Sequence, residues 1–288
     1  MIEPCRIVAR QKWRDGGWSP GRRSVAEETA VALTYNGGAY AVMMATPQDL
    51  EEFAVGFSLN EGIVSSTADM ESLDIVRLET GIELRMWLRE PNALRLQERR
   101  RRIAGPTGCG LCGIESIAEA MRPSAAVGGG EQFSPGQIMI AMQNLPLRQK
   151  LNTETHAVHA AAFWNAASGI VALREDIGRH NALDKLSGAI ARTSIVASAG
   201  IVLLTSRISV EMVQKCAAIG APVMVSVSAP TALAVRMADE SGITLVAIAR
   251  SDGFEVFTHP SRISFGVADR CLSPLLVVDP VPKSISLV

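Results

Sequence analysis

The chain has 288 residues, 48% hydrophobic and 20% charged, which are the proportions of a soluble globular protein and not of a disordered or fibrous one. That length predicts one large domain or two small ones, because single cores rarely grow beyond about 250–300 residues. With 28 Lys and Arg against 29 Asp and Glu, no global field draws the protein to nucleic acid or to a membrane surface.

Residues 1–10 lack an apolar core behind a basic start, so they do not read as a secretory signal. The longest apolar runs, 195–204 and 275–278, fall short of the roughly 18–20 residues that a membrane span needs. The expectation is a cytoplasmic chain that binds neither membrane nor nucleic acid. Cys5, Cys109, Cys112, Cys216 and Cys271 are too few, and odd in number, for a disulfide scaffold; only Cys109 and Cys112 have a chemically suggestive spacing.

The first third reads as a mixed module. Alternating residues at 29–35 and 39–43 flank Asn36-Gly37, a pair that supplies the positive φ angles of a tight hairpin turn. A helix follows, with Thr46 as its expected cap, Pro47 in its first turn, Asp49 at the capping-box position and Gly62 as its stop. Residues 74–79 and 82–88 alternate around Gly81 and predict a second strand pair.

The composition then shifts to Arg95, Arg99, Arg100, Arg101 and Arg102, followed by Gly105-Pro106-Thr107-Gly108-Cys109-Gly110-Leu111-Cys112-Gly113. So much glycine and proline predicts a mobile loop carrying two thiols, with a short helix at 114–121 and a linker at 123–130 after it. Ser134-Pro135-x-Gln137 opens another helix with cap grammar. From about Gly169, strand-like runs at 170–173, 201–205, 223–227 and 243–249 alternate with helical runs at 181–192, 209–219 and 230–241, which predicts a largely parallel sheet with crossover helices.

Three features carry chemistry. A thiolate is the reactive form of cysteine and is favoured near helix N-termini and cations, and both lie within sequence reach of Cys109 and Cys112. The competing reading is a zinc site completed by His156 and His159, since two cysteines and two histidines can hold zinc tetrahedrally. Against it, the histidines run into the apolar stretch 160–163 and glycines loosen the cysteine loop. The densest polar cluster, residues 174–185, lies between a predicted strand and a predicted helix, where an open parallel sheet forms its ligand crevice. There Gly178 permits close backbone approach, and Arg179, His180 and Lys185 offer charge to a phosphate. Ser206 and Arg207 after one strand and Ser228 after the next extend the same edge. No Rossmann or P-loop glycine spacing is present.

These blocks resemble the formate dehydrogenase accessory sulfurtransferases, the FdhD family, over nearly all of residues 28–262. The matching stretches include Tyr35-Asn36-Gly37, Met43-Met44-Ala45-Thr46-Pro47-x-Asp49-Leu50-Glu51, Gly56-Phe57-Ser58-Leu59, Thr107-Gly108-Cys109-Gly110-Leu111-Cys112-Gly113 and Val158-His159-Ala160-Ala161-Ala162. Glu175-Asp176-x-Gly178-Arg179-His180-Asn181-Ala182-Leu183-Asp184-Lys185, Ser209-x-Glu211-Met212-Val213-Gln214-Lys215 and Ser228-Ala229-Pro230-Thr231-x-Leu233-Ala234 continue it.

The resemblance implies an α+β chain: a mixed N-terminal module over residues 1–130 ending in the Cys-x-x-Cys loop, a cytidine deaminase-like three-layer α/β domain over 131–265, and a tail, 266–288, without an assigned role. It implies a homodimer that takes persulfide sulfur from a cysteine desulfurase and passes it to the molybdenum or tungsten bis-pyranopterin guanine dinucleotide cofactor, needed for formate dehydrogenase activity. Cys109 would carry the persulfide, with Cys112 as relay or protecting partner. The bound cargo would be held by Arg179, His180, Ser206, Arg207 and Ser228, together with Phe257, Thr258, His259, Pro260, Ser261 and Arg262, and GDP would mimic it. No structural metal is expected, because the His-x-Glu and later Pro-Cys-x-x-Cys order of the zinc deaminases is absent. The alternatives are a cofactor chaperone without sulfur transfer and a zinc-stabilised deaminase relative.

Overall fold

The computed structural model describes residues 2–90, 92–94, 96 and 124–265. It opens with an antiparallel ribbon, β1 (Cys5–Arg14) and β2 (Gly17–Ala26), turned by Asp15 and Gly16 at φ 52° and 78°. The ribbon is absent from the sequence expectations because both its faces are largely exposed, so burial imposes no simple alternation on it. Its register places Ile7, Ala9, Trp13, Trp18, Pro20 and Arg22 on one face and Arg6, Val8, Arg10, Lys12, Arg14, Arg23 and Val25 on the other.

Strands β3 (Thr29–Tyr35), β4 (Gly38–Ala45), β5 (Met70–Leu78) and β6 (Gly81–Leu88) form a sheet in the order β4-β3-β6-β5. The β3–β4 turn is Asn36-Gly37, with φ 49° and 76°, as the sequence predicts. Val31, Leu33 and Tyr35 alternate onto one face of β3 and meet Phe53 and Phe57 of helix α1 (Leu50–Asn60) in a closed core. Burying each such side chain contributes about 1.5–3 kcal/mol. Thr46 does not cap α1: Asp49 holds the N-cap position at φ 52°, and the Thr46 hydroxyl is engaged across the molecule. Gly62, at φ 65°, lies just past the helix where its stop was expected.

The rest of the described chain builds three layers. Helix α2 (Pro135–Arg148) starts with the predicted capping box, Gln137 N–H donating to Ser134 Oγ at 3.2 Å and Ser134 N–H to Gln137 Oε1 at 2.8 Å. After α3 (Lys150–Thr155) come β7 (His159–Asn165), β8 (Gly169–Asp176), α4 (Arg179–Ala191), β9 (Ile201–Leu204), α5 (Val210–Ile219), β10 (Val223–Ser226), α6 (Ala232–Glu240), β11 (Thr244–Arg250) and β12 (Gly253–Val256). Gly220 and Gly242 close α5 and α6 at φ 79° and 75°.

Sheet order is β12-β11-β10-β9-β7-β8, with β9, β10 and β11 parallel and β7, β8 and β12 antiparallel to their neighbours. The sheet is therefore mixed, where a largely parallel one was expected. Too few residues separate β7 from β8 for a crossover, so that pair can only be a hairpin. Val202, Leu204, Met224, Leu245 and Ala247 face α4, α5 and α6, while Ile201, Leu203, Val223, Val225 and Val246 face α2. The chain is α+β overall.

Helices α1 and α4 join the two sheets by direct backbone contact. A Cβ added at Gly56 would stand 1.8 Å from the Asp184 carbonyl oxygen, and one added at Gly188 would stand 1.9 Å from that of Glu52. Only glycine permits so close a crossing.

Candidate functional site

Strand direction decides which loops can share a site. Strands β8, β9 and β10 all run the same way, since β7 is antiparallel to both β8 and β9. Their carboxyl ends, Asp176, Leu204 and Ser226, therefore lie on one edge, together with the start of β7 at His159. Arg179 and His180 open α4 there, Ser206 and Arg207 follow β9, and Ser228 follows β10. An isolated parallel bridge, Ile208 with Pro230, ties the last two loops together. The Ser226 hydroxyl donates to the Ser206 carbonyl at 2.5 Å, and the Ser228 carbonyl accepts from Ile248 N–H at 3.3 Å. Ile248 sits at φ 53°, a left-handed conformation that a β-branched residue rarely adopts, so this edge also stores backbone strain.

Much of the polar cluster at 174–185 proves to be a buried seam beside the crevice. Lys185 and Asp176 pair at 2.6 Å with neither side chain exposed. Thr46 closes the arrangement: its hydroxyl donates to Asp176 Oδ2 at 2.8 Å and accepts from Lys185 Nζ at 2.9 Å, while its carbonyl accepts from the same ammonium at 3.0 Å. Asn181 and Gly178 N–H donate to the other Asp176 oxygen at 2.9 and 2.8 Å. Lys185 is thus not free for a phosphate; burial pushes its pKa down, against the pull of Asp176. A second buried pair, Lys215 with Asp184 at 2.6 Å, is joined by Asn60 donating to the same carboxylate at 2.6 Å. Burial raises the Asp184 carboxyl above its usual range, and Lys215 opposes the rise.

Arg179 and His180 stand apart from this satisfied network. Buried Arg179 Nε and His180 Nε2 have no hydrogen-bond partner among the described residues, and neither do Ser209 Oγ and Glu211 Oε2 at the start of α5. Burial first, and then the Arg179 charge, hold the His180 imidazole down to about 4. The same two causes lower His159. Both rings are therefore neutral at neutral pH and can donate at one nitrogen and accept at the other. Glu211 and His159 act electrostatically on His180, so polar groups from β7, α4 and α5 neighbour one another at this edge. Sequence reasoning set a zinc-ligand reading of His159 against that of a hydrogen-bonded core residue, and gave Glu211 no role. The readable signal was their position at strand and helix starts that converge on one edge.

Phe257, Thr258, His259, Pro260, Ser261 and Arg262 lie at the opposite edge, because β12 runs antiparallel to β11 and ends beside its start. Thr258 accepts from Leu245 N–H at 2.9 Å and donates to the Ile243 carbonyl at 2.6 Å. Arg262 donates to the Gly242 and Gly128 carbonyls at 2.8 and 2.9 Å and to Thr244 Oγ1 at 3.1 Å. His259 Nε2 lies 2.8 Å from the Asp239 carbonyl. Phe257, Pro260 and Ser261 remain exposed. The structure does not bring this segment to Arg179.

Cys109 and Cys112 lie outside the described residues, as do the helix expected at 114–121 and the tail. Of the described thiols, Cys216 is fully buried, which pushes its pKa up to about 12, and Cys5 donates to Glu154 Oε2 at 3.4 Å. Among the described residues no group of three or more His, Cys, Asp or Glu is placed to hold a metal, and no helix is long and apolar enough to cross a membrane.

Comparison with known proteins places these features in context. The model of a family described as the FdhD/NarQ family matches residues 26–264. A protein named sulfur carrier protein FdhD from Agrobacterium fabrum is 50% identical over 259 residues, covering 90% of this chain and 96% of the relative. Its namesake from Cupriavidus necator is 49% identical over 255 residues, covering 88% of each. A crystal structure of a protein described as a formate dehydrogenase accessory protein, from Desulfotalea psychrophila, superposes with a TM-score of 0.69 at 26% identity, covering 90% of this chain and 99% of that one.

Proposed function

We propose, from the premise that this chain belongs to the FdhD/NarQ family, that it is a sulfur carrier serving the maturation of formate dehydrogenase. The observation that carries the reading is the close likeness, over 90 and 88% of the chain, to relatives named as sulfur carriers. It is supported by the thiol inventory. Buried Cys216 is a poor nucleophile, and of the five cysteines only Cys109 and Cys112 stand three positions apart between glycines, the spacing that suits a relay pair.

In the proposed reaction the Cys109 thiolate attacks the outer sulfur of a persulfide on a cysteine desulfurase. The donor's S–S bond breaks, its cysteine leaves as a thiolate, and Cys109 holds the persulfide. Attack by the Cys112 thiolate on Cys109 Sγ would then form a Cys109–Cys112 disulfide and release the carried sulfur as hydrosulfide to the cofactor. Two thiols are oxidised as one sulfur is reduced, and a thiol reductant resets the pair.

The cargo is the molybdenum or tungsten bis-pyranopterin guanine dinucleotide, with GDP as its mimic. One guanine nucleotide arm occupies the strand-end crevice, where Arg179, His180, Ser206, Arg207 and Ser228 and the N-terminus of α4 suit a pyrophosphate. The exposed Phe257, Pro260 and Ser261 are a second contact for the same elongated ligand, at the far edge, on a scaffold held by Thr258, His259 and Arg262. The protein works in the cytoplasm as a homodimer. The face of the β1–β2 ribbon that carries Ile7, Trp13 and Trp18, at 68, 60 and 73% exposure, supports an interface between copies, since a two-stranded ribbon is marginal in water unless covered.

Mass spectrometry after incubation with a cysteine desulfurase and cysteine tests the central step. The wild type should gain one sulfur, Cys109→Ala should not, and Cys109→Ala should fail to restore formate dehydrogenase activity in cells lacking the protein. Full restoration by that variant would instead favour a cofactor chaperone without sulfur transfer.

A further inference from the structure

The β1–β2 ribbon carries Arg6, Arg10, Lys12, Arg14, Arg22 and Arg23, and neither of its strands contains an Asp or a Glu, in a chain whose formal net charge is only −1. The register divides these cations unequally. Arg22 shares a face with Trp13 and Trp18, and the others lie together on the reverse face. Two of that group are used within the fold: Arg6 pairs with Glu27, and Arg23 Nη2 donates to the Thr155 carbonyl at 3.1 Å. Arg10, Lys12 and Arg14 make no ion pair or hydrogen bond among the described residues.

These three hold alternate positions of β1, so their side chains leave one face at a repeat of about 6.6–6.8 Å. Like charges so close on one face repel one another, and an anionic partner relieves that repulsion. Across from them on β2 stand Gly21, Ser19 and Gly17, which raise no bulky side chain beside the cations. Arg10 already leans over this lane, its Nη2 lying 3.8 Å from where a Cβ on Gly21 would stand.

The chemistry of the occupant follows from what the two faces separate. Single-stranded nucleic acid is held by cations interleaved with aromatic rings, and the ribbon's rings, Trp13 and Trp18, point the other way. A membrane entered through the tryptophan face would leave Arg10, Lys12 and Arg14 directed away from it. An extended polypeptide matches the basic face directly, because its alternate side chains recur at the same repeat as the three cations. Carboxylates at every second residue would each meet a cation, the arginines in forked pairs.

We propose that the basic face of the β1–β2 ribbon, at Arg10, Lys12 and Arg14, docks an extended acidic segment of a partner protein. The surface is separate from the strand-end crevice and stands whether or not a guanine nucleotide binds there.

Fluorescence anisotropy of a labelled peptide of about four Glu-Ser repeats, titrated with the full-length protein at low ionic strength, tests the docking. The wild type should bind it at least about tenfold more tightly than the matching Gln-Ser peptide, and added salt should weaken the binding. Replacing Arg10, Lys12 and Arg14 together by Ala should cost about tenfold or more, while Arg22→Ala, on the reverse face, should stay within about twofold. Thermal melts verify folding; if the triple variant melts below the assay temperature, Lys12→Ala alone decides, with an expected loss of about two- to fivefold. Failure of the wild type to prefer the Glu-Ser peptide overturns the proposal, as does equal weakening by Arg22→Ala. Tighter binding of oligo-dT or of phosphatidylserine vesicles than of the peptide, lost in the triple variant, overturns it in favour of nucleic acid or lipid. A fall in sedimenting mass of the triple variant alone, without the peptide, shows that a second copy occupies the face and overturns it too.

Discussion

Asp176 and Lys185 form an ion pair at 2.6 Å with neither side chain exposed, and Thr46, from the far side of the seam, is bonded to both. The pair closes the interface between the two sheets from within. Lys185→Met leaves the Asp176 carboxylate buried without its counter-charge. It should cost about 3–5 kcal/mol in urea unfolding. A loss below about 1 kcal/mol would mean that Asp176 takes up a proton or water at little cost, and that the seam is not held by charge.

Gly188 meets backbone, which cannot swing aside as a side chain can. Gly188→Ala should destabilise by about 3 kcal/mol or more, at or beyond the top of the usual overpacking range. Gly128, with nothing within 4 Å of an added Cβ, provides the control. Gly128→Ala should stay within about 0.5 kcal/mol of the wild type in the same denaturant titration.

The crevice and the 257–262 segment should separate experimentally. Arg179→Ala should weaken GDP binding by about tenfold with little change in melting temperature, because its Nε has no hydrogen-bond partner among the described residues. Phe257→Ala should keep both the fold and GDP affinity but retain less of the intact cofactor on gel filtration. Arg262→Ala should lower the melting temperature, since its guanidinium ties Gly128 and Gly242 together. Tight cofactor retention by folded Phe257→Ala would remove that segment from the binding surface.

His180 should make stability depend on pH in one direction. Its folded pKa, about 4, lies below the ordinary value of 6.5, so the unfolded chain takes up the proton first as pH falls. Its contribution is fully present above about 6.5 and is lost as the pH drops towards 4. His180→Asn cannot titrate there. Its stability curve from urea melts should be flatter than that of the wild type across this window, and parallel curves would show that His180 titrates normally in the fold.

Local sequence grammar foretold local structure well. Asn36-Gly37, Ser134-Pro135-x-Gln137, Gly220 and Gly242 sit where their backbone preferences act without help from distant residues. Thr46 failed as a cap because a distant carboxylate, Asp176, competes for its hydroxyl, and no local pattern carries that information. Lys185 looked available for a phosphate for the same reason: charge is visible in a sequence, and its partner across a seam is not. The edge bearing Arg179, Ser206 and Ser228 was legible because strand–helix alternation implies it. The placement of residues 257–262 was not, because it turns on β12 reversing direction against β11. Glu211 is a single acidic residue near a helix start, which sequence alone cannot tell from an ordinary favourable helix charge.

The Thr46–Asp176 bond spans 130 residues of chain, which bears on synthesis as well as on stability. At typical ribosomal speeds of about 5–20 residues per second, the N-terminal sheet and α1, whose last strand ends at Leu88, wait roughly 4–18 s before Asp176 is made. Throughout that interval Gly56 and the polar groups around Thr46 face solvent on a half-built surface shaped to receive α4. Anything that slows elongation between these points lengthens the time in which that surface can be met by chaperones or by another nascent chain. Yield in the cell should therefore respond to codon changes over this stretch even where the amino-acid sequence is untouched.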